Sequence, residues 1–171
     1  MKDDYNIKNL RKKKTRINSR TKGNAFERQV AKLLNERFDT SEFARSPGSG
    51  AFASTHSLPE YLKIYGDLIT PIKFKYCIEC KKGYNKIQLN NLLDYSSEFW
   101  KFVKQCEKDS EKCDKEPMVI FKQDRQPTLV IININSTLTN GETIKYIEIK
   151  DYRIYLLEDA LKNWSDDRWF N

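Results

Sequence analysis

The stretch YCIECKKG, Tyr76 to Gly83, decides the fold class of this chain. It is typical of a short buried strand, in which residues i and i+2 project from the same face. Glu79 and Lys81 would therefore lie side by side on one face, while Ile78 and Cys80 point to the other. Charged side chains in an otherwise apolar strand are unfavourable unless they have a functional role. The stretch thus predicts a buried strand with a functional Glu-x-Lys pair.

A helix is predicted on each side of this strand. Upstream, TKGNAFERQVAKLLNERF (21–38) repeats apolar residues at helical spacing, with Thr21 or Asn24 as its cap. Downstream, IQLNNLLDYSSEFWKFVKQC (87–106) predicts a second long helix that packs on the sheet. The apolar stripes comprise Phe26, Val30, Leu33, Leu34 and Phe38 in the first helix, and Leu89, Leu92, Leu93, Ser96, Phe99, Trp100 and Val103 in the second.

The remaining segments predict strands and loops. GDLITPIKFKYCIECKK (66–82) indicates two short strands in a hairpin-like arrangement, preceded by a long loop rich in Gly, Ser and Pro. The polar segment 107–117 is expected to be a surface connection. Further elements are a helical turn at 58–64, strands at 118–123, 128–134, 143–149 and 152–157, a turn at 139–142 and a closing helix at 158–164. This order predicts a single α/β domain with a mixed β-sheet of four or five strands flanked by helices.

Charge divides the chain into a basic arm, residues 1–22, and a neutral body, residues 23–171. The arm contains nine Lys or Arg and two Asp, a net charge of +7 that equals that of the whole 171-residue chain. Such an arm suits phosphate binding, and the alternative is a solvated tail. The arm residues expected to contact DNA are Lys12, Lys13, Lys14, Arg16, Arg20 and Lys22.

The four cysteines and the amino terminus indicate an intracellular protein. Cys77 and Cys80 have a spacing found in zinc sites, but on a strand an i, i+3 pair points to opposite faces, so we expect reduced thiols. There is no secretory pattern and no apolar run of membrane-spanning length. We expect a soluble protein in the cytoplasm of a bacterial, archaeal or phage-infected cell.

Asp67 and Glu79 stand on neighbouring predicted strands and are candidate metal ligands. Mg²⁺ takes oxygen ligands and keeps several waters, so two carboxylates and the backbone carbonyl of Cys80 suffice to hold it against a phosphate. The metal would activate water and neutralise the phosphate, while the Lys81 ammonium stabilises developing negative charge. Alternatively, Glu79 and Lys81 form a cross-strand surface pair, and Glu27 caps the first helix from Asn24.

These residues resemble the motif of the PD-(D/E)xK nuclease superfamily, with GD at 66–67 and ECK at 79–81; Gly66 replaces the usual proline. The resemblance implies a restriction-endonuclease-like fold. The successive stretches KGNAFERQVAKLL (22–34), ARSPGSGAF (44–52), GDL and YCIECKKG are similar to the motifs of archaeal-type Holliday junction resolvases and their phage relatives. That family implies a Mg²⁺-dependent homodimer, with Mn²⁺ as a substitute, that cuts four-way DNA junctions at two symmetric positions.

Site roles follow from the same resemblance. It implies that Glu27 is a further acidic active-site residue, that Arg28 and Arg45 contact DNA, and that Ser49 lies near the scissile phosphate. The catalytic set is therefore Glu27 with Asp67, Glu79 and Lys81.

Three functions remain open on the sequence. The first is a junction resolvase, and the second is a restriction-like or repair nuclease acting on other duplex or branched DNA. The third is a non-catalytic DNA-binding protein. Phe99, Trp100 and Val103 are expected in the core or a dimer contact rather than stacked on bases. His56 is the sole histidine, which excludes nuclease sites built on histidine pairs.

Overall fold

The computed structural model describes residues 18–47, 65–136 and 144–171. The expected helical turn at 58–64, the turn at 139–142, Ser49, His56 and the arm before Asn18 lie outside these residues. The described helices and strands are α1 (Ser19–Phe38), β1 (Ala44–Arg45), β2 (Leu68–Ile69), β3 (Tyr76–Lys82), α2 (Leu89–Leu93), α3 (Glu98–Lys112), β4 (Glu116–Lys122), β5 (Thr128–Asn133), β6 (Tyr146–Ile149), β7 (Tyr152–Leu156), α4 (Leu157–Asn163) and α5 (Asp166–Trp169).

A five-stranded mixed sheet forms the centre of the fold, in the order β3-β4-β5-β7-β6. β3 and β4 run parallel and are joined through α2 and α3, whereas the other neighbours are antiparallel. This topology leaves β3 at one edge of the sheet and β6 at the other. The predicted α/β class and mixed sheet flanked by helices are confirmed, and the architecture is that of a restriction-endonuclease-like domain.

The sheet has a helix and an apolar core on each face. α1 packs Phe26, Val30 and Leu34 on one face, in a cluster that includes Ile78 and Cys80 of β3. On the other face α3 contributes the buried side chains Phe99, Trp100, Phe102, Val103 and Cys106. Fully burying one such large apolar side chain contributes roughly 1.5–3 kcal/mol. The two stripes therefore hold α1 and α3 in fixed positions against β3.

The predicted helix boundaries need two corrections. α1 is capped by Asn18, whose side chain accepts a hydrogen bond from the Arg20 N–H, and not by Thr21 or Asn24. Arg20 and Lys22 therefore belong to the first turns of a helix. The second long helix is broken between α2 and α3, because Asp94 Oδ1 accepts hydrogen bonds from both the N–H and the hydroxyl of Ser96.

The break changes which residues pack. Leu89 and Leu93 are each 71% exposed, although helical periodicity placed them on the apolar stripe. At its other end α3 continues through Lys112, into the segment expected to be a surface connection. Buried Cys106 and Ser110 keep this last part of the helix on the sheet.

The predicted hairpin of 66–82 is wrong in its pairing. β2 pairs antiparallel with β1, with Arg45 opposite Leu68, and the two form a separate two-stranded sheet. A two-residue strand has no periodicity of its own, and its partner lies on the far side of a long loop. The pairing brings Arg45 next to the aspartate that precedes β2.

The carboxyl-terminal segment fixes α1 relative to β3. Phe74, just before β3, forms an antiparallel bridge with Phe170. Trp169 is fully buried between them and α1. The Arg37 Nε–H of α1 donates a 2.6 Å hydrogen bond to the Leu161 carbonyl. The end of the chain thus closes one side of the domain and leaves the first turns of α1 free to form a site.

All four cysteines are free thiols. Cys80 faces the α1 core, whereas Cys77 lies on the α3 face, where the Cys106 thiol donates a 3.4 Å hydrogen bond to its carbonyl. The two residues therefore point to opposite faces, as the strand spacing predicted. Among the described residues, no helix is both long and apolar enough to cross a membrane.

Candidate active site

Glu79 and Lys81 form a buried ion pair on the α3 face of β3. The side chain of Glu79 is 2% exposed and that of Lys81 17%, and the Lys81 ammonium donates to Glu79 Oε1. Lys81 Nζ also lies 5.5 Å from the ring centroid of Phe102 on α3. The pair is therefore not a solvated surface pair, which was the alternative for this triplet.

Asp67 is docked on the free edge of β3. Its N–H donates to the Ile78 carbonyl at 2.8 Å, and its Oδ2 accepts a 2.8 Å hydrogen bond from the Cys80 N–H. The Ser46 N–H donates to the Asp67 carbonyl at 2.9 Å, so β1 holds the residue from its other side. These bonds place the aspartate beside the Glu-x-Lys strand although β2 itself does not join the main sheet.

The backbone conformation of residue 66 explains why glycine, and not the usual proline, precedes Asp67. It has φ +76°, and a Cβ at this position would lie 2.8 Å from the Ile78 carbonyl oxygen and 2.9 Å from Cys77 Sγ. Proline is restricted to φ near −65°, so it cannot adopt this conformation. Glycine in place of the usual proline therefore allows the backbone conformation that brings Asp67 against β3.

Glu27 of α1 is held by an arginine. Arg45 Nε donates to Glu27 Oε2 at 2.6 Å, and another guanidinium nitrogen donates to Asn24 Oδ1 at 3.1 Å. The Glu27 side chain is 8% exposed. The capping alternative is excluded, because Asn18 caps the helix and the Glu27 carboxylate bonds to Arg45. Arg45 thus contacts two α1 side chains.

The backbone of Cys80 faces the same edge. In a strand, the N–H and C=O of one residue point to the same side. Since the Cys80 N–H reaches Asp67, the Cys80 carbonyl also points away from β4 and toward the aspartate. Burial, with the charge of Asp67 and Glu27, raises the pKa of the Cys80 thiol, which keeps it protonated.

The charge of Asp67 disfavours the charged forms of both Glu79 and Glu27. Burial and then the charge of Asp67 raise the pKa of Glu79, against the opposing effect of Lys81. The same two causes raise the pKa of Glu27, in spite of Arg45. Burial lowers the pKa of Lys81, but Glu79 more than offsets this, so the ammonium stays charged. A divalent cation would relieve this repulsion, so the donor set fits one.

Few protein groups at this edge could serve as ligands of a metal ion. Within residues 18–47, 65–136 and 144–171, no three His, Cys, Asp or Glu side chains converge closely enough to hold a metal by themselves. Mg²⁺ is usually bound by one or two carboxylates and keeps its waters. The set that fits is therefore Asp67, Glu79 and the Cys80 carbonyl.

These residues lie at a cleft of about 890 Å³ between the first turns of α1 and the loop after β3. Glu27, Asp67, Cys80 and Lys81 line it. Of the residues expected to bind DNA, the cleft also contains Arg20, Lys22 and Arg45. Arg28 is exposed and lines a separate groove on the outer side of α1, which it shares with Arg45. Lys12, Lys13, Lys14, Arg16 and Ser49 lie outside the described residues.

Sequence reasoning missed one wall of the cleft. Lys82, Tyr84, Asn85 and Asp124 line it but were not predicted as site residues. Gly83, which follows the strand, signals a turn at this place. Asp124 comes from the β4–β5 turn, and its approach to Asn85 is a long-range contact that local patterns do not reveal.

The fold and this edge define a class of protein. A mixed sheet whose edge strand carries Glu-x-Lys, with an aspartate docked beside it, is the core of a PD-(D/E)xK nuclease domain. The family model described as "Phage putative PDDEXK endonuclease" matches residues 18–165. The chain therefore belongs to this family of phage endonucleases.

One curated relative supports the assignment. The chain is 33% identical over 130 residues to "Protein D14" of Escherichia phage T5, an alignment that covers 73% of this chain and 77% of that protein. Comparison with solved structures gave no significant match. The family and its nuclease class are thus established by sequence similarity, and the positions of the motif residues come from the structure.

Proposed function

We propose that this protein is a Holliday junction resolvase, a Mg²⁺-dependent endonuclease that makes symmetric nicks in four-way DNA junctions. The observation that carries the proposal is one basic-rimmed cleft lined by Glu27, Asp67 and Lys81, with the buried Glu79 paired to Lys81. The successive motifs around these residues, which are similar to those of archaeal-type resolvases, support the junction as substrate. The phage family supports a role in a phage-infected host cell.

Asp67, Glu79 and the Cys80 carbonyl would hold the cation. When bound, it supplies Lewis-acid stabilisation of the phosphate and lowers the pKa of water. Mn²⁺ is expected to substitute, since carboxylate and carbonyl oxygens suit both ions.

Lys81 contributes positive charge where the phosphate becomes more negative. Its raised pKa keeps it an ammonium, so it acts by electrostatic stabilisation and by positioning the attacking oxygen rather than as a base. Glu79 fixes the Lys81 side chain through their ion pair. Glu27 extends the acidic site from α1, and Arg45 orients it.

The cleft rim would bind the DNA backbone. Arg20 and Lys22 on α1 and Lys82 at the end of β3 line the cleft together with Glu27 and Asp67. Such cations supply sequence-independent affinity through counterion release. Asn18, the first residue that the structure describes, also lines this cleft, and the basic arm before it would add phosphate contacts. Two copies of this site are needed to cut a junction symmetrically, which is the reason to propose a homodimer.

The test compares two DNA shapes of the same sequence. Purified protein is incubated with a labelled four-way junction and with a linear duplex, each with Mg²⁺, with Mn²⁺ and with EDTA. We expect paired, symmetric, metal-dependent nicks confined to the junction, and none with Lys81→Ala. Equal cutting of the duplex would contradict junction preference and indicate a restriction-like or repair nuclease. Binding without cutting by the wild type would contradict catalysis altogether.

A further inference from the structure

The loop after β3 has an unusual backbone. Gly83 has φ +99°, and Tyr84 follows it with φ +53°. A left-handed conformation is unfavourable for most residues with a Cβ, and glycine, asparagine and aspartate adopt it most readily. An aromatic residue is therefore an unfavourable choice for the backbone at position 84.

A set of hydrogen bonds holds the loop in this conformation. Asn85 and Asp124 bond reciprocally, each at 2.9 Å: the Asn85 side-chain amide donates to Asp124 Oδ2, and the Asp124 N–H donates to Asn85 Oδ1. The Gln123 amide donates to the carbonyls of Tyr84 and Ile87, at 3.1 and 2.8 Å. These bonds fasten the loop to the β4–β5 turn. Strain maintained in this way is typical of functional positions.

The loop presents the Tyr84 ring to the cleft. The side chain is 39% exposed and lines the cleft together with Lys81 and Lys82. One side of the ring is supported by an edge contact with Phe102, at 4.6 Å between centroids, and Phe102 also contacts the Lys81 ammonium. The Tyr84 ring is thus supported on one side by Phe102 and partly accessible on the other. It lies next to the Lys81 ammonium, the proposed catalytic group.

We infer that Tyr84 is a stacking platform for a nucleobase, which positions the DNA strand beside Lys81. A base exposed near a strand crossover offers a π-face to such a ring, and lysines flanking the ring bind the adjoining phosphates. The inference rests on the proposed nuclease function and adds a binding residue to it. The Asn85–Asp124 pair is a positioning element that acts through Tyr84.

Two substitutions separate the ring from the backbone. Tyr84→Phe keeps the aromatic face and removes only the hydroxyl. Tyr84→Asn removes the ring but suits the left-handed conformation, so the loop keeps its shape. The matched control is Tyr146→Leu: Tyr146 is 42% exposed and lies on β6, at the opposite edge of the sheet.

Binding is measured in EDTA, so that the DNA stays intact, with 2-aminopurine placed in turn at positions on each side of the junction crossover. Stacking on a tyrosine or phenylalanine ring changes the fluorescence of this base. We expect wild type, Tyr84→Phe and Tyr146→Leu to give the same change at one position. Tyr84→Asn should lose it and bind about tenfold more weakly. Asn85→Ala should lose part of both.

Four results would overturn the inference. Unchanged affinity and fluorescence in Tyr84→Asn would mean that the ring only packs on Phe102. Loss of affinity in Tyr84→Phe would assign the effect to the hydroxyl. Wild-type protein that cuts in Mg²⁺ but shows no fluorescence change at any position would exclude stacking while leaving the proposed function intact. A wild type that neither binds nor cuts DNA overturns the proposed function, and this inference with it.

Discussion

The two edge strands of the sheet, β6 and β3, differ in how far their charged side chains are exposed to solvent. β6 is almost wholly exposed, and its Glu148 pairs with Arg153 at 3.0 Å with the glutamate 47% exposed. β3 is buried over most of its length, because Asp67 and its neighbours cover the free edge, and its Glu79 is 2% exposed. A pair whose carboxylate is solvated, such as Glu148 of β6 with Arg153 of β7, contributes about 0–1 kcal/mol. Charges on β3 bear a desolvation cost that a bound ion or phosphate would offset.

The comparison shows how the proposed nuclease site on β3 differs from an ordinary edge of the sheet. Glu148 of β6 pairs with an arginine of the neighbouring strand β7, whereas on β3 burial and the charge of Asp67 raise the pKa of Glu79. Matched substitutions at the two edges should therefore have unequal effects.

The largest difference is expected in catalysis. Glu79→Gln should lower the rate of junction cleavage at least about 100-fold, because it removes a proposed ligand and the partner that positions Lys81. Its affinity for the junction should stay near that of wild type. Glu148→Gln on β6 should cut at the wild-type rate. Single-turnover cleavage measures both, and unimpaired cutting by Glu79→Gln would remove this residue from the site.

The next effect concerns the glycine that docks Asp67. Gly66→Ala should lower the free energy of unfolding by roughly 3 kcal/mol, since φ +76° and the close Ile78 carbonyl both oppose a Cβ. Gly83→Ala is the control, because it has φ +99° but nothing within 4 Å of the added Cβ. It should lose only about 1–2 kcal/mol, the cost of the left-handed conformation alone. Equal losses in urea unfolding would show that the contact with β3 does not matter.

A smaller effect separates the two arginine pairs. Arg45→Met leaves the buried Glu27 carboxylate without its guanidinium and should destabilise the protein by about 2 kcal/mol. Glu148→Gln, which alters the exposed partner of the Glu148–Arg153 pair on the edge strand β6, should cost less than about 1 kcal/mol. Chemical denaturation gives both values. A larger loss for Glu148→Gln would reverse the proposed difference between the edges.

The smallest effect is thermal stabilisation by the cation. At a concentration tenfold above its Kd, Mg²⁺ should raise the Tm of wild type by about 3–6 °C. Asp67→Asn should show little of this shift, whereas Glu148→Gln should show all of it. A shift of the same size in Asp67→Asn would place the bound cation elsewhere.

Local sequence patterns correctly predicted the helices and strands that depend on residues close together in the sequence. The period of two in 76–83 and the helical stripe of α1 identified β3 and the inner face of that helix correctly. The break at Asp94 was missed because the apolar residues on both sides, Leu89 to Leu93 and Phe99 to Val103, keep helical spacing. The contact of Arg45 with Glu27 depends on the pairing of two-residue strands, which no periodicity reveals. The motif thus located the carboxylates, while the residues that orient them required the tertiary structure.

The most direct test of the account is a crystal structure of the protein grown with Mn²⁺, with anomalous scattering used to locate the ion. The account predicts an anomalous peak at the free edge of β3, with Asp67, Glu79 and the Cys80 carbonyl as ligands. A peak at another place, or none at a saturating Mn²⁺ concentration, would contradict the claim that this edge is a metal-dependent nuclease site.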